Sequence, residues 1–169
     1  INSKVRIEKF QRGLNVYVDV LGPLYDGKKE SRSTLIFNIS SREKVFLPLR
    51  RFPYTSLYPE VLPFDLYAMD EKEILAQKIR AIHQRDKARD VYDLWYLLVI
   101  KKIPVDLALV QKKMSYTSLK FDKDLFFRKI QEKEQSWRMD LSALVSGQLL
   151  SFSQAEGEIK QHFLEKSKP

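Results

Sequence analysis

The chain has 169 residues, 44% of them apolar, with 30 basic against 22 acidic side chains and no cysteine. A chain of this length and composition closes a core and buries roughly 70% of its unfolded surface, which excludes global disorder. No window approaches the ~18 unbroken apolar residues of a membrane span, and the lack of cysteine removes disulfides, thiolate metal sites and a Cys nucleophile together.

The formal charge of +8 suits a polyanion such as nucleic acid or nucleotide phosphate, or else a basic surface kept for solubility. Residues 1–65 and the remainder each carry +4, so no basic patch is localised. The chain opens at Ile1 with no initiator Met, basic n-region or apolar h-region, and reads as a piece whose beginning lies elsewhere. A cysteine-free chain without a signal peptide fits a reducing compartment, so a cytoplasmic location is expected, with no membrane partner.

In chain order, Lys4 to Phe10 alternates polar and apolar residues, and Leu14 to Leu21 alternates again with β-branched residues. Gly13 between them suggests a hairpin, and Thr34 to Ile39 reads as a third strand after the turn-rich stretch from Gly22 to Ser33. Pro48, Pro53, Pro59 and Pro63 then forbid a long helix and predict a surface excursion with short extended pieces. Phe64 to Met69 reads as a short strand.

Asp70 followed by Glu73 is a capping-box pattern, which predicts a helix over 71–84. A turn at Arg85 to Arg89 leads to a second helix over Asp90 to Ile100. Pro104 is expected to open a third, and Asp122 to Arg138 and Gln154 to Lys166 read as a fourth and a fifth. Strands first and helices after make the chain α+β. The expected division is a β-rich part at 1–69 and a helical part at 70–169.

Lys78 is the most informative single residue. Ile74, Leu75, Ile79 and Ile82 spread over about 140° of one helix face, and Lys78 falls inside that arc. Such a lysine either snorkels, with its stem packed and its ammonium in water, or points into a cleft to bind phosphate. Asp90 and Asp93, three apart, share one helix face beside the apolar Leu94, Leu97 and Leu98. Asp90 at a helix start reads as a cap, and Asp93 has Arg89 as a rival ion-pair partner. Two carboxylates near a lysine also have the composition to hold Mg²⁺ and offset a triphosphate.

Asp19 sits in a strand among valines but on the face of Tyr17, either as a metal ligand or as a solvent-facing aspartate. His83 and His162 have no Glu or His at ligand spacing, so no zinc site is expected. No Gly-rich phosphate motif and no Gly-x-Ser-x-Gly elbow occurs.

The stretch from Asp65 to Leu98 carries two linked motifs. Glu73, Ile74, Leu75, Ala76, Lys78, Ile79 and Ala81 form one; Arg85, Arg89, Asp90, Val91, Tyr92, Asp93 and Leu94 form the other. In residue types and spacing these resemble the signature of the AbiEii/AbiGii toxin family, within the polymerase-β-like nucleotidyltransferases. The resemblance implies part of a mixed β-sheet followed by a helical bundle. It also implies transfer of a nucleotide from an NTP, with Mg²⁺, to an acceptor, most simply tRNA, in a toxin–antitoxin or abortive-infection setting with an AbiEi-like antitoxin.

By the same resemblance Lys78, Arg85 and Arg89 contact nucleotide phosphate, Asp93 or Asp90 completes the catalytic set, and Asp19 matches a metal-binding carboxylate. The family's first motif, Gly-Ser followed by Asp-x-Asp, has no counterpart in these 169 residues. The chain is therefore expected to be a C-terminal portion that is inactive by itself. The alternative is a non-catalytic RNA-binding or protein-interaction module built on the same scaffold.

Overall fold

A computed structural model describes residues 4–22, 24–41 and 43–165. The chain divides into two compact units, with the boundary between Lys44 and Val45.

The first unit is an antiparallel meander of β1 (Lys4–Phe10), β2 (Gly13–Val20) and β3 (Ser33–Ser40), in the order β1-β2-β3. Lys4 pairs with Asp19 and Val16 with both Ile7 and Phe37, so side chains sort by the two-residue period of a strand. One face collects Val5, Ile7, Leu14, Val16, Val18, Leu35, Phe37 and Ile39, and its β1 and β3 members are about half exposed. The opposite face is largely polar, with Phe10 and Ile36 as its large apolar members, and several of its polar groups bond to one another. The Arg6 guanidinium lies 4.0 Å from the centroid of the Tyr17 ring and pairs with Glu8, and the Tyr17 hydroxyl donates to Glu8 at 2.9 Å.

Gly13 opens β2 because nothing larger fits there: a Cβ at that position would stand 2.6 Å from the Ile39 carbonyl oxygen. The strands match those expected to within one residue at each end.

The second unit begins with a two-stranded antiparallel ribbon of β4 (Arg50–Tyr54) and β5 (Phe64–Ala68). Pro53, opposite Asp65, is tolerated because each strand of a two-stranded ribbon keeps a free edge. All strand pairs among the described residues are antiparallel, which corrects the expectation of a mixed sheet; the α+β class stands.

Among the described residues six helices follow: α1 (Glu71–Gln84), α2 (Ala88–Trp95), α3 (Leu107–Ser115), α4 (Lys123–Gln131), α5 (Trp137–Leu141) and α6 (Phe152–Glu165). Their apolar stripes share one core that includes Leu75, Ile79, Ile82, Val91, Leu94, Leu98, Val110, Met114, Phe126, Ile130, Ile159 and Phe163. None of these helices is long and apolar enough to cross a membrane.

Helix α1 spans the expected residues, and Asp70 caps it by accepting from the Lys72 backbone N–H at 2.9 Å. The other half of the capping box is not made. Glu73 turns inward, accepts from the backbone N–H groups of Phe46 and Leu47, and pairs with Lys113.

Helix α2 starts two residues earlier than expected, and its last turn, Tyr96–Ile100, is π-helical, with Lys101 N–H donating to the Tyr96 carbonyl. Pro104 does not open α3. Asp106 does, its carboxylate accepting from Leu109 N–H at 2.9 Å.

The single helix expected over Asp122 to Arg138 is two helices with turns between them. Glu132 to Ser136 has good local helix propensity. Tertiary contacts override it: Lys133 is drawn into the interior, and the Trp137 indole donates to the Leu150 carbonyl at 3.0 Å. Helix α6 begins at Phe152, two residues before the expected start, and the expected end at Lys166 lies outside the described residues.

Candidate functional site

Helices α1 and α2 run on from a tight turn, and that turn brings one face of each helix together. Val91, Leu94 and Leu98 from α2 and its π turn pack in the same core as Leu75, Ile79 and Ile82 from α1, leaving Lys78 at the edge of the apolar contact. Its side chain is 23% exposed.

The ammonium does not simply reach water. Lys78 Nζ donates to Asp90 Oδ1 at 3.1 Å and to Asp93 Oδ2 at 2.5 Å. The arc that placed Lys78 on the apolar face and the i, i+3 spacing of the two aspartates thus converge on one cluster.

Asp90 is fully buried and takes cations on both oxygens. The Arg85 guanidinium grips it with a fork, Nε to Oδ2 at 2.6 Å and Nη2 to Oδ1 at 2.7 Å. Burial by itself pushes this carboxyl up; the Arg85 and Lys78 hydrogen bonds more than reverse that and hold it below the ordinary carboxylate range. In return the Asp90 carboxylate holds the Arg85 guanidinium yet more firmly protonated.

Asp90 is not the cap of α2. Lys87 occupies that position, and Asp90 lies in the first turn, where its charge also suits the positive end of the helix. Asp93 differs from Asp90: its side chain is 44% exposed and it pairs with Lys78 instead of Arg89. Arg89 itself is exposed on the first turn of α2. Asp19 belongs to the first unit, on the polar face of its sheet, and accepts from the Thr34 hydroxyl at 2.8 Å.

Among the described residues no group of three or more His, Asp or Glu side chains is arranged to hold a metal ion. Asp90 in particular has committed both oxygens to Lys78 and Arg85. The residues of this cluster therefore do not amount to a Mg²⁺ site, and no step is assigned to the ion through them.

Four further charged residues, Lys113, Asp140, Lys133 and Asp86, were not singled out in the sequence. Glu73 and Lys113 form a buried pair at 2.6 Å. Asp140 of α5 accepts from the Ala88 backbone N–H at 3.0 Å, and Lys133 pairs with Asp86 at 3.1 Å. Lys113 carried a usable signal: Leu109, Val110, Lys113 and Met114 repeat the spacing of Ile74, Leu75, Lys78 and Ile79.

No match to the chain is found among curated proteins or among solved structures. The sequence model of one family, described as the nucleotidyl transferase AbiEii toxin of type IV toxin–antitoxin systems, matches residues 3–157. That match takes in both units and the whole Lys78–Asp90–Asp93 cluster, so the chain belongs to the AbiEii nucleotidyl transferase toxin family.

Proposed function

We propose that this chain supplies the lysine and Arg-Asp-x-x-Asp part of a site that transfers a nucleotide from an NTP to an acceptor hydroxyl, with tRNA the simplest acceptor. The acceptor oxygen forms a bond to the α-phosphorus while the bond from that phosphorus to the bridging oxygen breaks, releasing pyrophosphate; the hydroxyl proton goes to solvent or a base. Negative charge develops on the phosphoryl oxygens during this exchange, and a fixed cation beside them lowers the barrier.

That task is assigned to Lys78, and the observation that supports the reading is its ammonium held between Asp90 and Asp93 at the edge of the core. Asp90, buried and gripped by Arg85, aims the lysine. Asp93, partly exposed, is the carboxylate with access to substrate, and an arriving phosphate replaces it as a partner of Lys78. Arg85 and Arg89, about half exposed and exposed, add positive charge on the approach to the cluster.

The Gly-Ser and Asp-x-Asp motif that would supply metal-binding carboxylates has no counterpart in these 169 residues, which are inactive by themselves under the proposal. Family membership favours an antitoxin as the biological counterpart.

Transfer of label from α-³²P NTP to RNA by the intact protein tests the reading. Lys78→Ala should abolish transfer while the helical circular-dichroism signal survives; full transfer by this variant overturns the assignment. Absence of transfer with every NTP, together with tRNA affinity that falls steeply with salt, identifies a binding module instead.

A further inference from the structure

The turn that links α1 to α2 carries Arg85, and the fork from Arg85 holds Asp90 against Lys78. Four residues of local sequence do not by themselves fix such a turn. Helix α2 has no side-chain cap of its own, because Lys87 at the cap position offers no acceptor.

Two charged groups from a distant stretch of the chain meet this need. Asp140 on α5 reaches across 52 positions and accepts from the Ala88 N–H, the first backbone donor of α2. Lys133, in the turn after α4, buries its whole stem and places its ammonium 3.1 Å from Asp86 Oδ1, while Asp86 itself stays largely in water. The contacts are not incidental to local folding: Lys133 lies where the sequence favours continued helix, and the helix is broken there.

We propose that Asp140 and Lys133 are positioning residues for the nucleotidyl transfer assigned to Lys78, and this rests on that reading. They lock the Arg85–Ala88 turn from the α4–α5 region, so that Arg85 meets Asp90 and Asp90 in turn aims Lys78. The chain of contacts is short and physical. Lys133 holds Asp86, the neighbour of Arg85; Asp140 holds Ala88, two residues before Asp90. A cation that must meet a developing charge within a fraction of an ångström is sensitive to slack in such supports, and small misplacements cost orders of magnitude in rate.

The test uses the intact protein with Asp140→Ala and Lys133→Met, and the conservative variants Asp140→Asn and Lys133→Arg. Asn keeps an oxygen for Ala88 N–H, and Met keeps the buried stem without the charge. Two readouts are taken. The first is the solvent exchange of the Arg85 Nε–H in ¹⁵N NMR, which is slowed by its bond to Asp90 whether or not the protein transfers nucleotides. Expected is exchange at least about tenfold faster in Asp140→Ala and Lys133→Met, with Asp140→Asn close to wild type. The second is transfer kinetics, where kcat falls about tenfold in the same two variants with KM for NTP changed less than twofold, and Asp140→Asn restores turnover.

Unchanged Nε–H exchange in both Asp140→Ala and Lys133→Met overturns the proposal. So does loss of turnover in Asp140→Asn equal to that in Asp140→Ala. If the wild-type protein transfers nothing, the catalytic reading fails on its own, and the exchange measurement still decides whether these residues hold the turn. If Asp140→Ala does not fold, Lys133→Met carries the decision.

Discussion

Lys113 Nζ stands 2.6 Å from Glu73 Oε1, and both side chains are wholly withdrawn from solvent. Glu73 spends its remaining acceptor capacity on the backbone N–H groups of Phe46 and Leu47. One carboxylate thereby ties three parts of the second unit: α1, α3 and the segment ahead of β4. Breaking a buried pair by removing one charge leaves the other unpaired in the interior, at a cost of about 3–5 kcal/mol, whereas removing both charges is far milder. Glu73→Gln is expected to lower the unfolding free energy read from urea denaturation by an amount in that range. Glu73→Gln with Lys113→Met should recover most of the loss, because the glutamine oxygen still accepts from Phe46 and Leu47. An equal loss in the single and double variants would refute this account.

Acid should weaken the protein through two carboxylates. Burial pushes Glu73 up, and Lys113 with the Leu47 and Phe46 backbone donors brings it below its ordinary value. Asp90 is lowered in the same manner, its burial outweighed by Arg85 and Lys78. A carboxyl lowered in the folded state binds fewer protons there than in the unfolded chain. Its stabilisation is therefore complete above the ordinary value, about 4, and is lost as pH falls through the lowered one. Thermal midpoints should vary little between pH 7 and about pH 5 on account of these groups and drop below that. Asp90→Asn and Glu73→Gln should each flatten the acid limb.

Asp90 and Asp93 should separate cleanly by what their loss affects. Asp90→Asn removes the charge that balances Lys78 and Arg85 in the interior, and should cost about 3 kcal/mol, the low end for a buried pair because Arg85 is half in solvent. Asp93→Asn loses a partly exposed partner and should cost less than about 1 kcal/mol. Under the proposed function it nonetheless depresses transfer. Chemical denaturation beside the labelling assay checks both halves, and a stability loss larger for Asp93→Asn than for Asp90→Asn would reverse the roles.

Two glycines predict opposite signs. An added methyl group at Gly13 meets the Ile39 carbonyl oxygen at 2.6 Å, a backbone atom that cannot swing aside, so Gly13→Ala should cost about 1–3 kcal/mol. At Gly157, within α6, the same methyl group meets nothing within 4 Å, and Gly157→Ala should stabilise by about 0.5–1 kcal/mol. Unfolding midpoints of the two variants decide the matter.

Much of this architecture was legible because local rules and global packing agree. The alternation in Lys4–Phe10 and the Asp70 cap lead directly to β1 and the start of α1. The arc test placed Lys78 beside the core, and the structure pairs it with the two aspartates that the sequence marked as unusual. Where the reading fell short, a long-range contact had overridden a local preference. Glu73 left the capping box for Lys113, and the helix through Glu132–Ser136 broke where Lys133 turned to Asp86. Asp140 shows no local sign of its task, since its partner, Ala88 N–H, is a backbone group 52 positions away. Lys113 was readable by the test that found Lys78.

The π-helical turn at Tyr96–Ile100 holds one more residue than an α-helical turn would need. This gives the chain a tolerance for a change of length inside its own core. Removing one residue there converts the wide turn to an ordinary one, with the register before it undisturbed. A single-residue deletion within α1 would instead rotate Lys78 by about 100° relative to the residues before it. The second unit therefore has a built-in slip joint in its buried middle, and deletions scanned along 71–100 should be accommodated best at 96–100.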